Sequence, residues 1–421
     1  TAAPLPPTTA GAAATAGAPV GELDWPQARA VARRAGATPL PAVTRELADA
    51  LGRTLAEPLA ALTDLPAFDT SAMDGWAVSG PGPWRLSGRV LAGRTPPPLA
   101  DGWATAIATG AQLPPGATAV LRREHGRLEP TGIPSSEGTL HPAVAGGPVP
   151  GQDVRPRGQE CRRGEQLLAA GTPVGAAVLG LAAACGYDRL TVRRAPTVEL
   201  LVLGDELQQA GLPGPGLVRD ALGPLLQPWL TAAGAQLLGR RTLRDDFGLL
   251  RDALRSSPAE VVVTTGATAA GPVDFLHAAL AECGGRLLVD GVAVRPGHPM
   301  LLAVLPPLAA GGSPRHLVGL PGNPLAAVAG ALTLALPLLD ALSGRPAGRA
   351  RFARAGAALR GHSRDTRLLP VRLGEQGPVP LAFDGPAMLR GLALADALAV
   401  VPPGGLRVGE RVELLDAPTG R

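Results

Sequence analysis

The hydrophobic pattern is most regular between residues 196 and 342, where short apolar runs alternate with segments of helical period. The runs fit buried strands because they are short, rich in Leu and Val, and bounded by Gly, Pro or acidic residues. Strands are predicted at 197–203, 236–243, 261–263 and 317–320, and helices at 221–229 and 275–280. Such alternation predicts a doubly wound α/β domain with a parallel sheet.

Weaker patterns flank this domain. Strand-like pieces between residues 84 and 149 predict a β-rich lobe, short strands after residue 351 predict a small β domain, and helical spacing occurs at 21–62 and 172–186. The predicted division is a disordered tail at 1–19, a helical and linker region at 20–66 and 152–194, a β-rich inserted lobe at 67–151, an α/β domain at 195–346 and a C-terminal β domain at 347–421.

Composition narrows the class of protein. The 421 residues are 46% hydrophobic, which is too apolar for a disordered chain. The chain has no lysine, so its 39 basic residues are all arginines, and lysine-based chemistry is excluded. A net charge of +4 is mild for this length, and the arginine runs are too short for a nucleic-acid-binding stripe. We therefore expect no nucleic-acid partner.

Cysteine usage and hydropathy argue against a secreted or membrane-embedded protein. The three cysteines are widely spaced and odd in number, which favours neither a disulfide framework nor a zinc site. The longest apolar run, at 324–339, is short for a membrane span and contains Pro337, so it predicts a buried helix. The N-terminus lacks the basic segment of a secretory signal. These features predict a soluble cytoplasmic protein with no membrane partner.

Candidate anion-binding chemistry lies at the ends of the predicted strands. Small residues around Gly266 follow the strand at 261–263, and Asp274 precedes the next helix. This arrangement offers free N–H groups and a helix dipole to an anion, although it is also typical of an ordinary βα turn. Acidic pairs follow two other strands at 205–206 and 245–246, where open α/β sheets bind ligands. The second pair can equally cap the next helix.

Two polar loops outside the α/β part are further candidates. LPAFDTSAMDGWAV at 65–78 places acidic and hydroxyl side chains around Asp74, which indicates either turn formation or a ligand cleft. GQDVRPRGQECRRG at 151–164 contains Arg155 and Glu160. It is either a solvated loop or a site at which arginines bind an oxyanion through two hydrogen bonds.

Together these loops resemble the motifs of the molybdopterin molybdenumtransferase family, the MoeA type that also forms the E domain of gephyrin. The similar stretches, in family order, are 65–78, 155–164, 204–207, LPGNP at 320–324 and MLRGLALADALAVVP at 388–402. The resemblance implies an elongated homodimer of four-part subunits. It also implies that the α/β part is the molybdopterin-binding domain and that the active site lies between this domain of one subunit and the β-rich lobe of the other.

The resemblance further implies the reaction and the residues that serve it. The family inserts molybdate into adenylylated molybdopterin and releases AMP, assisted by a divalent cation, usually Mg²⁺. Other proteins of molybdenum-cofactor biosynthesis are the expected partners. By motif position, the expected catalytic residues are Asp74, Glu160, Glu206, Asp246 and Asp274. The expected substrate-binding residues are Thr109, Gly110, Arg155, Gly204, Asp205, Asp220, Gly266, Thr268, Arg295, His298, Pro321, Gly322 and Asn323. The expected metal ligands are Asp205, Glu206 and Asp245.

The chain departs from the family pattern at its anion-binding positions. Where the family usually has Ser-Gly-Gly-Val-Ser, this chain has TGATA at 265–269. The family's Pro-Gly-Lys-Pro is PGHP at 296–299, and the lysine before it is replaced by Arg295. These changes keep a second hypothesis open, namely a divergent non-catalytic paralogue that binds a pterin, a nucleotide or a protein partner without inserting the metal.

Overall fold

The computed structural model describes residues 21–129, 138–143, 146–268 and 275–418. These residues form two compact units. One unit contains the residues up to Ala42 together with those from Arg193 onward, and the other contains Val43–Val192. The tail at 1–19, predicted to be disordered, lies outside the described residues.

A six-stranded sheet forms the centre of the first unit. In order across the sheet, its strands are Gln236–Leu243, Thr197–Leu203, Val261–Thr265, Arg315–Leu320, Leu301–Leu305 and Arg286–Asp290. The first four run parallel, whereas the last two pair antiparallel with their neighbours. The predicted parallel sheet is confirmed in its core, and an antiparallel edge is a common addition to such domains.

Helices cover both faces of this sheet because its strands are apolar on both sides. Successive residues such as Leu200 and Leu201 point to opposite faces and belong to two different cores. One face packs against Trp25–Ala35, Leu222–Ala232 and the helical segment at 324–342, and the other packs against Phe247–Ser256 and Leu276–Glu282. Burial on both faces explains why these strands appear in the sequence as continuous apolar runs.

The apolar segment at 324–342 is a buried helix, as its sequence predicts. It consists of Pro324–Gly330, a π-helical turn at Ala331–Ala335, and Leu336–Leu342. Pro337 has no backbone N–H, so the carbonyl four residues earlier loses its helical partner and the wider turn accommodates the change. In the described part of the chain this is the one helix long and apolar enough to cross a membrane, and 89% of that window is buried inside the protein.

The C-terminal strands build a second sheet in the same unit. Its strand order is Leu23–Asp24, Val292–Arg295, Thr366–Gly374, Ala397–Val401, Arg411–Asp416 and Arg351–Arg354, with Gly377–Pro380 also paired to Thr366–Gly374. This sheet therefore includes two strands from outside the segment at 347–421. One of them carries Arg295 from the α/β part to the C-terminal strands.

The second unit contains the β-rich lobe. Its six-stranded sheet has the order Ala119–Arg122, Gly75–Val78, Trp103–Ile107, Trp84–Val90, Thr139–Pro142 and Gly126–Glu129. Short pairs join Val154–Arg155 to Thr70–Ser71 and Gln166–Leu168 to Leu59–Ala60, and Ala176–Ala184 is a helix.

The helical pattern at 21–62 is only partly observed. Trp25–Ala35 is a helix, but Ala42–Glu46 is a strand and the next helix stops at Ala50. Gly52 then adopts a φ of +76°, a left-handed conformation that does not continue a helix. Pairing with Arg189–Arg193 overrides the local helical spacing.

Candidate active site

A cleft of about 680 Å³ opens at the carboxyl ends of the parallel strands in the first unit. From Thr197–Leu203 the chain goes to a neighbouring strand on one side and later returns to Val261–Thr265 on the other. Such a reversal leaves a crevice into which the loops after both strands open. The residues singled out from the sequence that line this cleft are Gly204, Glu206, Asp220, Asp245, Gly266, Thr268, Pro321, Gly322 and Asn323.

Two glycine-containing loops meet in this cleft. The N–H of Gly266 donates to the carbonyl of Leu320 at 2.9 Å, and Gly266 has a φ of +88°. A Cβ on Gly322 would lie only 3.6 Å from the Cα of Gly266. The small-residue loop after Val261–Thr265 is therefore in direct contact with the LPGNP loop.

Ala267 adopts a φ of +53°, in the left-handed region that favours glycine. A residue with a Cβ loses about 1–2 kcal/mol there because its Cβ approaches a carbonyl oxygen. Next to it, the side chain of Thr268 is buried. The loop thus has the backbone shape that a glycine of the family motif would adopt freely, and this chain maintains that shape against strain.

Asp220 has a structural role at the edge of the cleft. Its side chain is 2% exposed, and Oδ1 accepts hydrogen bonds from the N–H groups of Leu222 and Gly223 at 3.0 Å each. Its second oxygen pairs with Nη1 of Arg240 at 3.3 Å. The carboxylate therefore fixes the start of Leu222–Ala232. These contacts support a structural role for Asp220, and its expected contact with substrate stays a prediction.

Arg219, which the sequence motifs did not indicate, is exposed and lines the same cleft. It belongs to a short strand, Val218–Arg219, that pairs with Leu207–Gln208. Both short strands contribute apolar side chains to the cleft wall. The only sequence signal for Arg219 is its position directly before Asp220.

Two helices begin at the cleft, but both use their first amides internally. Asp220 takes the amides of Leu222–Ala232, and the carbonyl of Pro386 accepts from the N–H groups of Leu325 and Ala326 at 2.9 and 3.3 Å. The helix dipoles still favour an anion in the cleft. Direct hydrogen bonds to an anion must come instead from the loops and from side chains such as Arg219.

Glu206 and Asp245 are the carboxylates that line the cleft besides Asp220. A Cβ on Gly204 would lie 2.7 Å from Oε2 of Glu206, so the glycine makes room for this side chain. Asp245 accepts a hydrogen bond from the N–H of Asp205 at 3.3 Å. The carboxylate of Asp205 instead pairs with Nε of Arg244 at 3.2 Å.

Asp246 caps a helix. Its Oδ1 accepts a hydrogen bond from the N–H of Leu249 at 2.8 Å, at the start of Phe247–Ser256. This is the capping alternative that the sequence left open, and it does not support the catalytic role expected for Asp246. Asp274, the other acid expected near this loop, lies outside the described residues.

The described residues contain no group of three or more His, Cys, Asp or Glu side chains placed to hold a metal ion. Asp205, Glu206 and Asp245 therefore do not form a complete protein-only site. Mg²⁺ is commonly held by one or two carboxylates together with substrate phosphates and water. Glu206 and Asp245, as hard oxygen donors at the cleft, fit that kind of site.

A second pocket of about 400 Å³ shares the walls Pro299, Pro321 and Asn323 with the cleft. Arg295 and His298, both expected to bind substrate, lie in this pocket. His298 Nδ1 is 3.0 Å from the carbonyl of Val292 and 3.2 Å from Oε1 of Glu22. Arg295 donates from Nε to Oδ2 of Asp365 at 2.7 Å.

The segment after residue 351 supplies charged residues that the sequence motifs did not indicate. His362, Arg367 and Asp384 line the second pocket, and Arg367 pairs with Asp384 at 2.7 Å. They lie in segments with no recognisable motif, so no local signal identifies them. Only the pairing of Val292–Arg295 with Thr366–Gly374 brings them near Arg295.

In the second unit, three expected site residues come together. Oδ1 of Asp74 accepts hydrogen bonds from the backbone N and the Oγ1 of Thr109, at 2.7 and 2.9 Å. Gly110 follows with a φ of +80° and donates to the carbonyl of Ser71 at 2.8 Å. The polar loop around Asp74 is thus joined to the turn at 109–110.

The other polar loop of this unit runs beside the first. Arg155 is in register with Thr70 in a short antiparallel pair, and its side chain is exposed. The N–H of Glu160 donates to the carbonyl of Leu65 at 2.9 Å. The stretches at 65–78 and 151–164 therefore lie side by side, and Arg155 and Glu160 are both exposed.

The fold and the cleft define a multidomain protein with a crevice at the switch point of a doubly wound sheet. Three family models match successive parts of the chain. They are the MoeA N-terminal region (domain I and II) at 24–186, a probable molybdopterin binding domain at 199–341 and the MoeA C-terminal region (domain IV) at 352–416.

Relatives with curated names and solved structures agree. The molybdopterin molybdenumtransferase of Synechococcus elongatus is 34% identical over 310 residues, covering 69% of this chain and 72% of the relative. That of Nostoc sp. is 30% identical over 307 residues, covering 70% and 67%. The crystal structure of a molybdopterin biosynthesis MoeA protein from Pyrococcus horikosii has a TM-score of 0.71 at 26% identity, covering 95% of this chain and all of that one. The chain belongs to the molybdopterin molybdenumtransferase family, and the expected family and fold class are confirmed.

Proposed function

We propose that this protein inserts molybdate into adenylylated molybdopterin and releases AMP, as a step of molybdenum-cofactor biosynthesis. The observation that carries the proposal is the cleft at the sheet's switch point, in a chain that belongs to this family. Its volume of about 680 Å³ is in the range of small-molecule sites. It combines an apolar wall with glycine loops, an arginine and two available carboxylates.

The two kinds of wall suit the two parts of the substrate. Leu207, Val218 and Leu389 give the cleft an apolar side against which a flat pterin ring can pack. The loop at Gly266 and the guanidinium of Arg219 lie in the same cleft and are suited to phosphate oxygens. The helix dipoles add positive potential at this end of the sheet.

Glu206 and Asp245 are the side chains that would hold Mg²⁺. When bound, such an ion neutralises phosphate charge and favours departure of the AMP group. Asp205 supports this arrangement through its N–H, which holds Asp245, while its own carboxylate is engaged by Arg244.

The second anion is expected in the adjoining pocket. Molybdate is a small oxyanion, and Arg295 and His298 stand in the pocket that shares Pro321 and Asn323 with the cleft. An oxyanion held there would lie beside the substrate in the cleft. Arg295 can offer two parallel N–H groups, a geometry that lysine lacks.

In the homodimer that the family resemblance implies, the site is completed from the second unit of the partner subunit by Asp74, Thr109, Gly110, Arg155 and Glu160. All five residues are exposed, which supports a ligand-facing role. The protein would act in the cytoplasm together with other proteins of molybdenum-cofactor biosynthesis.

The decisive experiment measures AMP release from adenylylated molybdopterin by the purified protein, with molybdate and Mg²⁺ each added or withheld. Release that requires both supports the proposal. Asp245→Asn should reduce turnover strongly, whereas the matched variant Asp252→Asn, on the outer helix Phe247–Ser256, should not. Equal effects of the two variants, or release independent of molybdate, would contradict it.

A second candidate function is ligand binding without metal insertion. The observation that favours it is the strained Ala267 in the ligand loop. Ala267→Gly and His298→Lys restore the family residues at two positions. Tight binding of adenylylated molybdopterin without AMP release by the wild type, with release gained by these variants, would establish this alternative.

A further inference from the structure

Two arginines stand side by side at the seam between the α/β part and the C-terminal strands. Arg295 and Arg367 are register partners in the parallel pair formed by Val292–Arg295 and Thr366–Gly374. Like charges directly opposite each other in a sheet repel. Both arginines line the pocket of about 400 Å³ beside the cleft, so this pocket carries a concentrated positive charge.

Two carboxylates of the same chain balance this charge. Oδ2 of Asp365 accepts from Nε of Arg295 at 2.7 Å, and Oδ2 of Asp384 lies 2.7 Å from Nη2 of Arg367. The two acids differ in exposure, since the side chain of Asp365 is 11% exposed and that of Asp384 is 36% exposed. Asp365 is thus the more deeply placed counter-ion.

Asp365 is itself held in position. Its N–H donates to Nδ1 of His362 at 3.1 Å, and its Oδ2 is 3.4 Å from the same nitrogen. Because Nδ1 of His362 accepts this N–H, the side-chain donor to the carboxylate is the guanidinium of Arg295. An incoming oxyanion would need the same donor, because a carboxylate and an oxyanion both accept the guanidinium's N–H groups.

We propose that Asp365 acts as an internal counter-anion that competes with the substrate oxyanion for Arg295 and so sets the oxyanion affinity of the pocket. This inference rests on the proposed function of the same site and assigns Asp365 a role in setting how tightly that pocket holds its oxyanion. An oxyanion binds Arg295 only when it displaces this carboxylate, so the carboxylate lowers the affinity of every such oxyanion. Once exchanged, the oxyanion takes over neutralisation of Arg295, while Asp384 stays paired with Arg367.

The test measures binding of molybdate alone, and of sulfate alone, by titration calorimetry with the full-length protein and no pterin present. Asp365→Asn keeps the shape and a hydrogen-bond acceptor but removes the charge. We expect it to tighten molybdate binding about tenfold, because a like charge is removed within a few ångströms of the bound anion. We also expect sulfate binding to tighten by a similar factor, because both anions compete with the same carboxylate.

Two controls separate competition for Arg295 from a general effect of removing one negative charge from the protein. Asp416→Asn removes an exposed carboxylate that pairs with Arg351 on the same sheet and should leave anion affinity unchanged. In the double variant Arg295→Gln with Asp365→Asn, the increase in molybdate affinity should disappear, because the arginine for which the two anions compete is missing. Thermal unfolding checks each variant, and Asp365→Ser provides a second uncharged variant in case the Asn form does not fold.

The results distinguish this inference from the proposed function. A folded Asp365→Asn variant with unchanged or weaker molybdate binding would overturn the inference. The role of Asp365 would then be structural, as the partner of Arg295 where Val292–Arg295 pairs with Thr366–Gly374. A gain that persists without Arg295, or that Asp416→Asn reproduces, would also overturn it. Molybdate-dependent AMP release is measured separately, so its failure bears on the proposed function and not on the competition for Arg295.

Discussion

Oδ1 of Asp74 accepts two hydrogen bonds from Thr109, one from its backbone N at 2.7 Å and one from its Oγ1 at 2.9 Å. Both hydrogen bonds lower the pKa of the Asp74 carboxyl below its usual value, and the backbone one has the larger effect. Desolvation opposes this shift, and the charge of Arg123 adds to it. The two residues are 35 positions apart, so the link joins separate turns of the β-rich lobe.

Thr109→Val should raise the pKa of Asp74 part of the way to its usual value, because the hydroxyl donor is lost while the backbone donor remains. Carboxyl carbon chemical shifts across a pH titration measure this. The control Thr118→Val removes a hydroxyl that donates to Val78 O and should not move the pKa of Asp74. An unchanged pKa in Thr109→Val would contradict the assigned cause.

The sign of the associated pH dependence follows from the same shift. The folded-state pKa of Asp74 lies below the unfolded one, so the hydrogen bonds stabilise the folded state above the usual carboxyl pKa. This stabilisation is lost as the pH falls through the folded-state pKa. The loss should be smaller in Thr109→Val than in the wild type.

Ala267→Gly should raise the free energy of unfolding by about 1 kcal/mol, because glycine adopts a φ of +53° without a Cβ clash. Chemical denaturation measures the change. The matched control Ala278→Gly changes an exposed position within the helix Leu276–Glu282 and should lower stability by about 1 kcal/mol. If both variants are destabilised alike, the left-handed conformation of Ala267 does not cause strain.

Asp220→Ala should destabilise the first unit by about 2–4 kcal/mol, because it leaves two helix amides and Arg240 without their buried acceptor. Asp220→Asn retains an acceptor for the amides and should cost less. Trp229 lies in the helix that Asp220 starts, so tryptophan fluorescence during urea unfolding reports on it. The exposed carboxylate removed in Asp252→Asn serves as the control. A stable Asp220→Ala protein with weakened substrate binding would instead favour a ligand-binding role.

The buried thiols of Cys161 and Cys185 should resist alkylation in the folded protein. Their sulfur atoms are 3.9 Å apart, and burial, followed by the hydrogen bond between the two thiols, raises the pKa of Cys185 to about 11. Thiolate is the reactive form, so iodoacetamide should label Cys283 before either member of the pair. Peptide mass mapping after timed quenching measures the order, and urea should abolish the difference. Equal labelling of all three cysteines without urea would contradict this burial.

The raised pKa of Cys185 also predicts a loss of stability in alkali. The folded state favours the protonated thiol, so its contribution to stability is complete below the unfolded-state pKa and disappears as the pH rises toward 11. Cys185→Ala should remove this part of the alkaline dependence. Unfolding midpoints measured between neutral pH and pH 11 test it, and an identical dependence in the variant would argue against Cys185 as its source.

The sequence predicted the strands of the α/β core well because they are buried on both faces. The bounds of Thr197–Leu203 and Gln236–Leu243 agree with the prediction. The strand Ala42–Glu46 was predicted wrongly as helix, because all but one of its residues are exposed and it carries little hydrophobic signal. Its conformation is fixed by pairing with a strand far along the chain.

The domain boundaries and the expected roles of the site residues remain predictions. The sequence indicated the correct loops of the first unit, since Gly204, Gly266 and Gly322 all line one cleft. It could not separate carboxylates that face a ligand from those that hold the fold. Asp220 and Asp246 stand next to helix starts, and their role depends on which amides they reach.

By itself, the sequence determined the family, the doubly wound core and the buried helix at 324–342, because these depend on motifs and on hydrophobic periodicity that are local in the chain. Only the tertiary structure decided which charges meet. Arg295 and Asp365 are 70 residues apart, and neither carries a local sign of the other. Their contact follows from the pairing of Val292–Arg295 with Thr366–Gly374, because hydrogen bonding and charge act over a few ångströms in space, whatever the separation along the chain.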